Sequence, residues 1–133
     1  MALTLVDSNV LLDILTADPQ WISWSEDRLD EALSTDGAAI NQIIFAEVSA
    51  RFDTRSAADS AIAPQVARLD LPWDAAFIAG RFFVEYRRQG GQKRSPLGDF
   101  YIGAHAQVAG LTLLTRDAAR YRTYFPDVRL IAP

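Results

Sequence analysis

The chain reads as one α/β domain, with a central mainly parallel sheet of four to five strands between two layers of helices. Three observations predict this α/β/α arrangement. Short apolar runs alternate with amphipathic stretches along all 133 residues, as strands alternate with crossover helices. The runs are brief and apolar, the signature of strands covered on both faces. No linker, repeat or low-complexity tract interrupts them, and the length suits a single domain spanning 1–133.

Leu3–Val6 is the first strand and Ser8–Leu15 a short helix. Trp21–Asp36 is helical and stops at Gly37, the residue type favoured just past a helix end. Ala38–Ile40 is a second strand, after which Asn41 caps a helix over about 42–51. A weaker helix covers about 56–67, and Arg68–Leu71 is a strand or a connector. Asp74 caps a long helix to Arg88, which Gly90–Gly91 ends. Ser95–Pro96 opens the next helix, with proline suited to the first helical position. Thr112–Thr115 is a strand, Ala118–Thr123 a helical turn and Val128–Ile131 the last strand.

Composition narrows the chemistry. Half of the residues are apolar and 23% are charged, which excludes a disordered or fibrous chain. No apolar run approaches the roughly 18 residues of a membrane span. The N-terminus lacks a charged region followed by a small-residue cleavage site, so the expected setting is the cytoplasm. With 0 Cys and 1 His, one chain cannot build a disulfide, a thiolate zinc site, a cysteine nucleophile or a multi-histidine metal site. Carboxylates must carry most of any chemistry.

The net charge of −4 hides an asymmetry. Residues 1–80 hold 4 basic against 13 acidic side chains, whereas residues 81–122 hold 8 basic against 3 acidic ones. The second segment suggests a local electropositive surface, although solvated helix ends and a charged loop would produce the same count.

Four acids are oddly placed. Asp7 directly follows the first strand, and Asp117 follows the Thr112–Thr115 strand by one residue. Ligand sites in open α/β sheets gather at the carboxyl ends of strands. Glu47 lies on the apolar stripe of its helix, near Ile43, Ile44 and Val48. Asp99 shares a face with Ile102, Gly103 and Ala106. A buried, unpaired carboxylate costs several kcal/mol or protonates. Each acid also has a local reading: Asp7 and Asp117 as helix caps, Asp99 at the positive end of its helix, Glu47 paired with Arg51. Jointly they favour a divalent cation, and hard oxygen ligands select Mg²⁺ or Mn²⁺.

Rival carboxylate chemistries lack their partners. An aspartyl-phosphate phosphatase needs a second Asp two residues after the first, where Asn9 stands, and a late lysine, whereas Lys93 is the only lysine. No phosphate-binding or dinucleotide-binding glycine motif is present. His105 falls mid-helix without a strand–turn–serine elbow and reads as a structural residue.

Four segments resemble the motifs of PIN-domain nucleases. They are Leu5-Val6-Asp7-Ser8-Asn9-Val10-Leu11-Leu12, Asn41-Gln42-Ile43-Ile44-Phe45-Ala46-Glu47-Val48, Gly98-Asp99-Phe100-Tyr101-Ile102-Gly103-Ala104-His105-Ala106, and Leu113-Leu114-Thr115-Arg116-Asp117 followed by Tyr121 and Phe125-Pro126. Their order and coverage match the family, and the compact length resembles VapC-type toxins of bacterial toxin–antitoxin pairs. The resemblance implies a PIN-like fold and a metal site formed by Asp7, Glu47, Asp99 and Asp117, with Ser8, Asn9 and Thr115 orienting ligands or water. It implies Mg²⁺- or Mn²⁺-dependent hydrolysis of an RNA phosphodiester, in which the cation polarises the phosphate and activates water. Acids gathered without a metal repel one another, so at least one should hold a proton.

RNA needs help to approach such a site. Arg87, Arg88, Lys93 and Arg94, with Arg116 beside Asp117, are expected to form a basic rim that steers phosphates inward. The resemblance also implies a cognate antitoxin, with two alternatives: an RNA-processing nuclease without one, or a PIN scaffold that binds RNA or protein without cutting. Trp24 lies roughly 150° from its helix's core stripe and either anchors a partner or packs under a neighbouring loop. The helix 74–88 has apolar residues nearly all round, Phe77 and Val84 opposing its main face, which predicts a homodimer.

Overall fold

The computed structural model describes residues 2–91 and 97–133. Five strands form one sheet: β1 (Thr4–Val6), β2 (Ala38–Ile40), β3 (Ala67–Arg68), β4 (Thr112–Leu114) and β5 (Leu130–Ile131). Their order is β3-β2-β1-β4-β5, and every pairing is parallel. Every residue of β1 and β2 is buried. Helices therefore cover both faces, giving the expected three layers.

Seven helices are described: α1 (Ser8–Leu15), α2 (Ile22–Ser34), α3 (Gln42–Ser49), α4 (Arg55–Ala61), α5 (Trp73–Arg88), α6 (Leu97–Ala109) and α7 (Ala119–Tyr124). Local chemistry accounts for several of their ends. Asn41 accepts from the Ile44 amide at 3.0 Å, capping α3, and Thr54 does the same for α4 through Ala57. Gly37 takes φ +95° after α2, a conformation that glycine adopts without a steric penalty.

Several boundaries differ from the sequence reading. The weak helix ends at Ala61 rather than near 67, because Pro64 removes an amide donor and the chain extends into β3. Pro72, not Asp74, caps α5, leaving Asp74 in its first turn. Residues 95 and 96, expected to open α6, lie outside the described residues.

The core unites Leu5, Val6, Ile40, Leu113 and Leu114 of the sheet with Val10, Ile44, Val48, Phe100 and Ile102 of the helices. An aromatic cluster ties α5, α6 and α7 together, with Phe82 edge-on to Phe125 at 5.0 Å and Phe100 to Tyr124 at 4.9 Å. Gly103 makes this packing possible, since a Cβ there would meet the Phe125 ring at 2.3 Å. Gly103→Ala should therefore destabilise the fold by about 1–3 kcal/mol through overpacking. Urea unfolding checks this; an unchanged midpoint would show that the ring can move aside.

Of the two readings of Trp24, the structure shows the packed one. Trp24 is half-buried, packs against the core and meets Trp21 edge-to-face at 6.1 Å. The buried face of α2 centres on Ser25 and Ala32, two residues a full seven apart. A wheel that treats Ser25 as polar places the stripe too far round, because Ser25 is buried with its hydroxyl bonded to Asp13 at 2.8 Å.

Candidate functional site

The strand order reverses at β1, whose neighbours β2 and β4 continue in opposite directions. The carboxyl ends of β1 and β4 thus open a crevice at the switch point, where ligands bind in open α/β sheets. Asp7 leaves β1 there and Thr115 leaves β4.

Asp7 both caps α1 and lies in this crevice. It is 3% exposed, and its Oδ1 accepts from the Ser8 amide at 2.8 Å, which starts α1. Its Oδ2 accepts from the Thr115 hydroxyl at 2.8 Å, the Tyr121 hydroxyl at 3.0 Å and, at the 3.5 Å limit, the Asn9 amide. Thr115 spends its whole hydrogen-bonding capacity here. While donating to Asp7, it accepts from Asn9 Nδ2 at 3.3 Å and from the Asp117 amide at 3.1 Å. Ser8 also reaches across to α3, donating its hydroxyl to Glu47 Oε1 at 3.0 Å.

Asp99, in the first turn of α6, completes a group of three facing carboxylates. Its Oδ2 accepts from Arg120 Nη1 at 2.5 Å, and its Oδ1 lies 3.4 Å from the Tyr121 hydroxyl. Gly98 brings the α6 backbone beside Glu47, whose Oε2 would lie 3.2 Å from a Cβ at that position. The fourth acid is placed differently. Asp117 sits two residues beyond Thr115 with its backbone at the crevice and its side chain exposed to solvent. Among the described residues, no three or more His, Cys, Asp or Glu side chains are arranged so that they could hold a metal ion as they stand.

The electrostatics are those of crowded carboxylates. Burial, and then repulsion from Asp99, push the Asp7 carboxyl up to about 6. Partial burial raises Glu47, with Asp99 adding to the effect and the Ser8 hydrogen bond opposing it. Burial and the Asp7 charge raise the Tyr121 hydroxyl well above its ordinary range, so it remains a donor. An all-oxygen donor set with this surplus of negative charge fits a hard divalent cation.

A stability effect follows from Asp7. Its folded-state value, about 6, lies above the ordinary 3.8, so between these pH values the folded chain binds more protons than the unfolded one. Stability without divalent ions should therefore fall as pH rises through this window, by about 3 kcal/mol for this group. Asp7→Asn should remove that slope. Melting at pH 4.5 and 7.5 in chelator checks this; equal slopes for both chains would refute it.

Three features of the site escaped the sequence reading. Tyr121 links two of the acids, and Arg120 neutralises one of them. Tyr121 stands in the fourth motif with no role assigned to it, and Arg120 precedes it; both lie about one helical turn after Asp117. The third is a buried clamp. Asp13, 3% exposed, receives both Nε and Nη2 of Arg116, at 2.8 and 2.9 Å, while Ser25 donates to it. Arg116 also lies over the Trp21 ring at 5.1 Å, and its amide donates to Asn9 Oδ1 at 3.1 Å. The guanidinium expected on the basic rim is thus turned toward α1 and α2. Arg87 and Arg88 lie exposed at the end of α5, whereas Lys93 and Arg94 fall outside the described residues. His105 is structural, buried with Nδ1 3.0 Å from the Asn41 amide nitrogen.

A family model described as PIN domain matches residues 4–126. Solved structures share the fold at low sequence identity. VapBC2 from Rickettsia felis, bound to a DNA fragment from its promoter, is 17% identical over 98% of each chain, with a TM-score of 0.73. VapBC-1 from nontypeable Haemophilus influenzae is 18% identical over 97% of this chain and 96% of the other, with a TM-score of 0.69. DNA-bound VapBC from Salmonella typhimurium is 22% identical over 99% and 98%, also with a TM-score of 0.69. No curated protein matches by sequence.

Proposed function

The chain belongs to the PIN domain family, and from that premise we propose that it is a Mg²⁺-dependent endoribonuclease and the toxic component of a type II toxin–antitoxin pair. The observation that carries the reading is the convergence of Asp7, Glu47 and Asp99 at the β1–β4 switch point, with Asp7 raised to about 6 by burial and its neighbours' charge.

Asp7, Glu47, Asp99 and Asp117 would hold the ion, Mg²⁺ or Mn²⁺. When bound, it polarises the scissile phosphate and the attacking water. The chain's own groups prepare the ligands. Thr115 and Tyr121 fix one oxygen of Asp7 and the Ser8 amide fixes the other. The Ser8 hydroxyl holds Glu47 toward the crevice, and Arg120 compensates the charge of Asp99. Arg87, Arg88, Lys93 and Arg94 supply the basic approach for RNA that the carboxylates would otherwise repel.

Incubation of single-stranded RNA with the chain tests the reading: cleavage is expected with Mg²⁺ or Mn²⁺ and none in chelator. RNA left intact with both ions would overturn it. The pairing with an antitoxin draws on the likeness to VapBC complexes. It predicts a short reading frame immediately upstream whose product co-purifies with the chain.

A homodimer is proposed on the outer face of α5, where Trp73 is 91% exposed, Phe77 67% and Val84 39%. Isolated surface apolar residues are ordinary, but a row of them along one helix marks an interface. Light scattering at micromolar concentration should give twice the monomer mass, and Phe77→Glu should halve it. A monomeric mass for the unchanged chain would exclude the dimer.

A further inference from the structure

A second cavity, of about 410 Å³, opens at the carboxyl ends of β2 and β3, on the same sheet edge as the carboxylates. That volume is in the range that holds small planar ligands. Phe45 of α3 forms one wall. The Arg68 guanidinium lies over its ring at 4.8 Å and that of Arg55 at 6.0 Å. Both arginines are oriented by Asp59, at 2.7 and 3.4 Å. Gln42 stiffens the rim, accepting from the Leu71 amide at 2.9 Å and donating to Asp70 Oδ1 at 3.3 Å. Phe45 and Glu47 are two residues apart on α3 and so point to opposite sides of the helix. The cavity and the carboxylates are therefore separated by about one helix diameter, roughly 10 Å.

We propose that this cavity is a nucleobase subsite for single-stranded RNA, seating a base next to the one whose phosphodiester is cut. The inference rests on the nuclease reading and deepens it. An unstacked base needs a flat apolar face, and aromatic rings and guanidinium planes provide it. Phe45 and Arg68 offer both. Asp70 has lone pairs left to accept from an exocyclic amino group, which favours bases that carry one. Arg55, the more exposed arginine, takes the adjoining phosphate, because Asp70 repels phosphate from the other side.

The test is binding of a short fluorescent oligoribonucleotide to the full chain in chelator, read by anisotropy at several salt concentrations. Phe45→Ala should weaken binding about 5- to 150-fold without changing the salt slope, and Phe45→Trp should restore it. Arg55→Gln should lower the slope by about 0.7, the loss of one single-strand phosphate contact. Arg68→Gln and Arg55→Gln change exposed side chains, so the test survives if Phe45→Ala does not fold. Unchanged binding by both arginine variants would overturn the subsite. So would release of a co-purified antitoxin by these substitutions with RNA binding intact, which would make the cavity a protein-docking site. RNA cleavage separates the two readings: binding without cleavage sinks the nuclease and leaves the subsite, whereas cleavage with indifferent variants does the reverse.

Discussion

Asp7→Asn and Asp99→Asn should each reduce the proposed divalent-dependent RNA cleavage by roughly 10³-fold or more, several kcal/mol of transition-state stabilisation. Both substitutions keep the side-chain volume and one acceptor oxygen, but an amide nitrogen replaces the other, which at Asp7 serves Ser8 or Thr115 and Tyr121 and at Asp99 serves Arg120 or faces Tyr121. The largest loss is the charge that the proposed ion requires. Asp7→Asn should in addition melt higher than the unchanged chain in chelator near neutral pH, because it removes a buried charge that the fold disfavours. It should also lose the stabilisation expected from Mg²⁺ in the unchanged chain. The opposite responses of activity and stability distinguish loss of a metal ligand from loss of structure. Equal cleavage by all three chains would remove the carboxylates from the chemistry. A lower melting temperature for Asp7→Asn would show that the charge is already compensated within the fold.

The second large effect is on stability. Arg116→Ala strands the Asp13 carboxylate, which is 3% exposed and, among the described residues, keeps only the Ser25 hydroxyl as a hydrogen-bond partner. Removing one member of a buried pair costs about 3–5 kcal/mol. Arg116 is itself partly exposed, so the lower end of that range applies. For a chain of this length, roughly 3 kcal/mol lowers the melting temperature by about 10 °C. Replacing Asp13 and Arg116 together by methionine should cost less than replacing Arg116 alone, since no charge is then left buried. A double-mutant cycle read by thermal melting checks this; additive losses would mean that the two side chains do not depend on each other. Because the Arg116 amide also anchors Asn9, and Thr115 and Asp117 flank it, loosening the clamp should reduce cleavage as well.

Much of the architecture was legible residue by residue. Asn41 announced a helix start, Gly37 a helix end, and the short apolar runs a parallel sheet. Each of these depends on backbone preferences that act within a few positions, and the strands and helices they bound were found within about one turn. The helix expected to reach 67 failed for a local reason that was also visible, Pro64. Asp7 stands out in the sequence as the acid that directly follows the first strand, Glu47 and Asp99 as acids on apolar helix faces, and the fold brings the three to one crevice.

Contacts between residues far apart in sequence were a different matter. Arg116 counted as surface charge until Asp13, 103 positions earlier, proved to bind it. Ser25 counted as polar until the same carboxylate gave its hydroxyl a buried partner. Trp24 then turned inward because the true stripe of α2 runs through Ser25. Tyr121 and Arg120 acquired meaning only when α7 was laid beside α6. The sequence by itself determined the elements, their order and the acids that could hold a cation, because propensity and periodicity are written over a few residues. Only the tertiary structure decided which charges face the crevice and which are spent holding it together. A side chain's chemistry is set by its nearest neighbours, and for these residues the fold supplies them from distant parts of the chain.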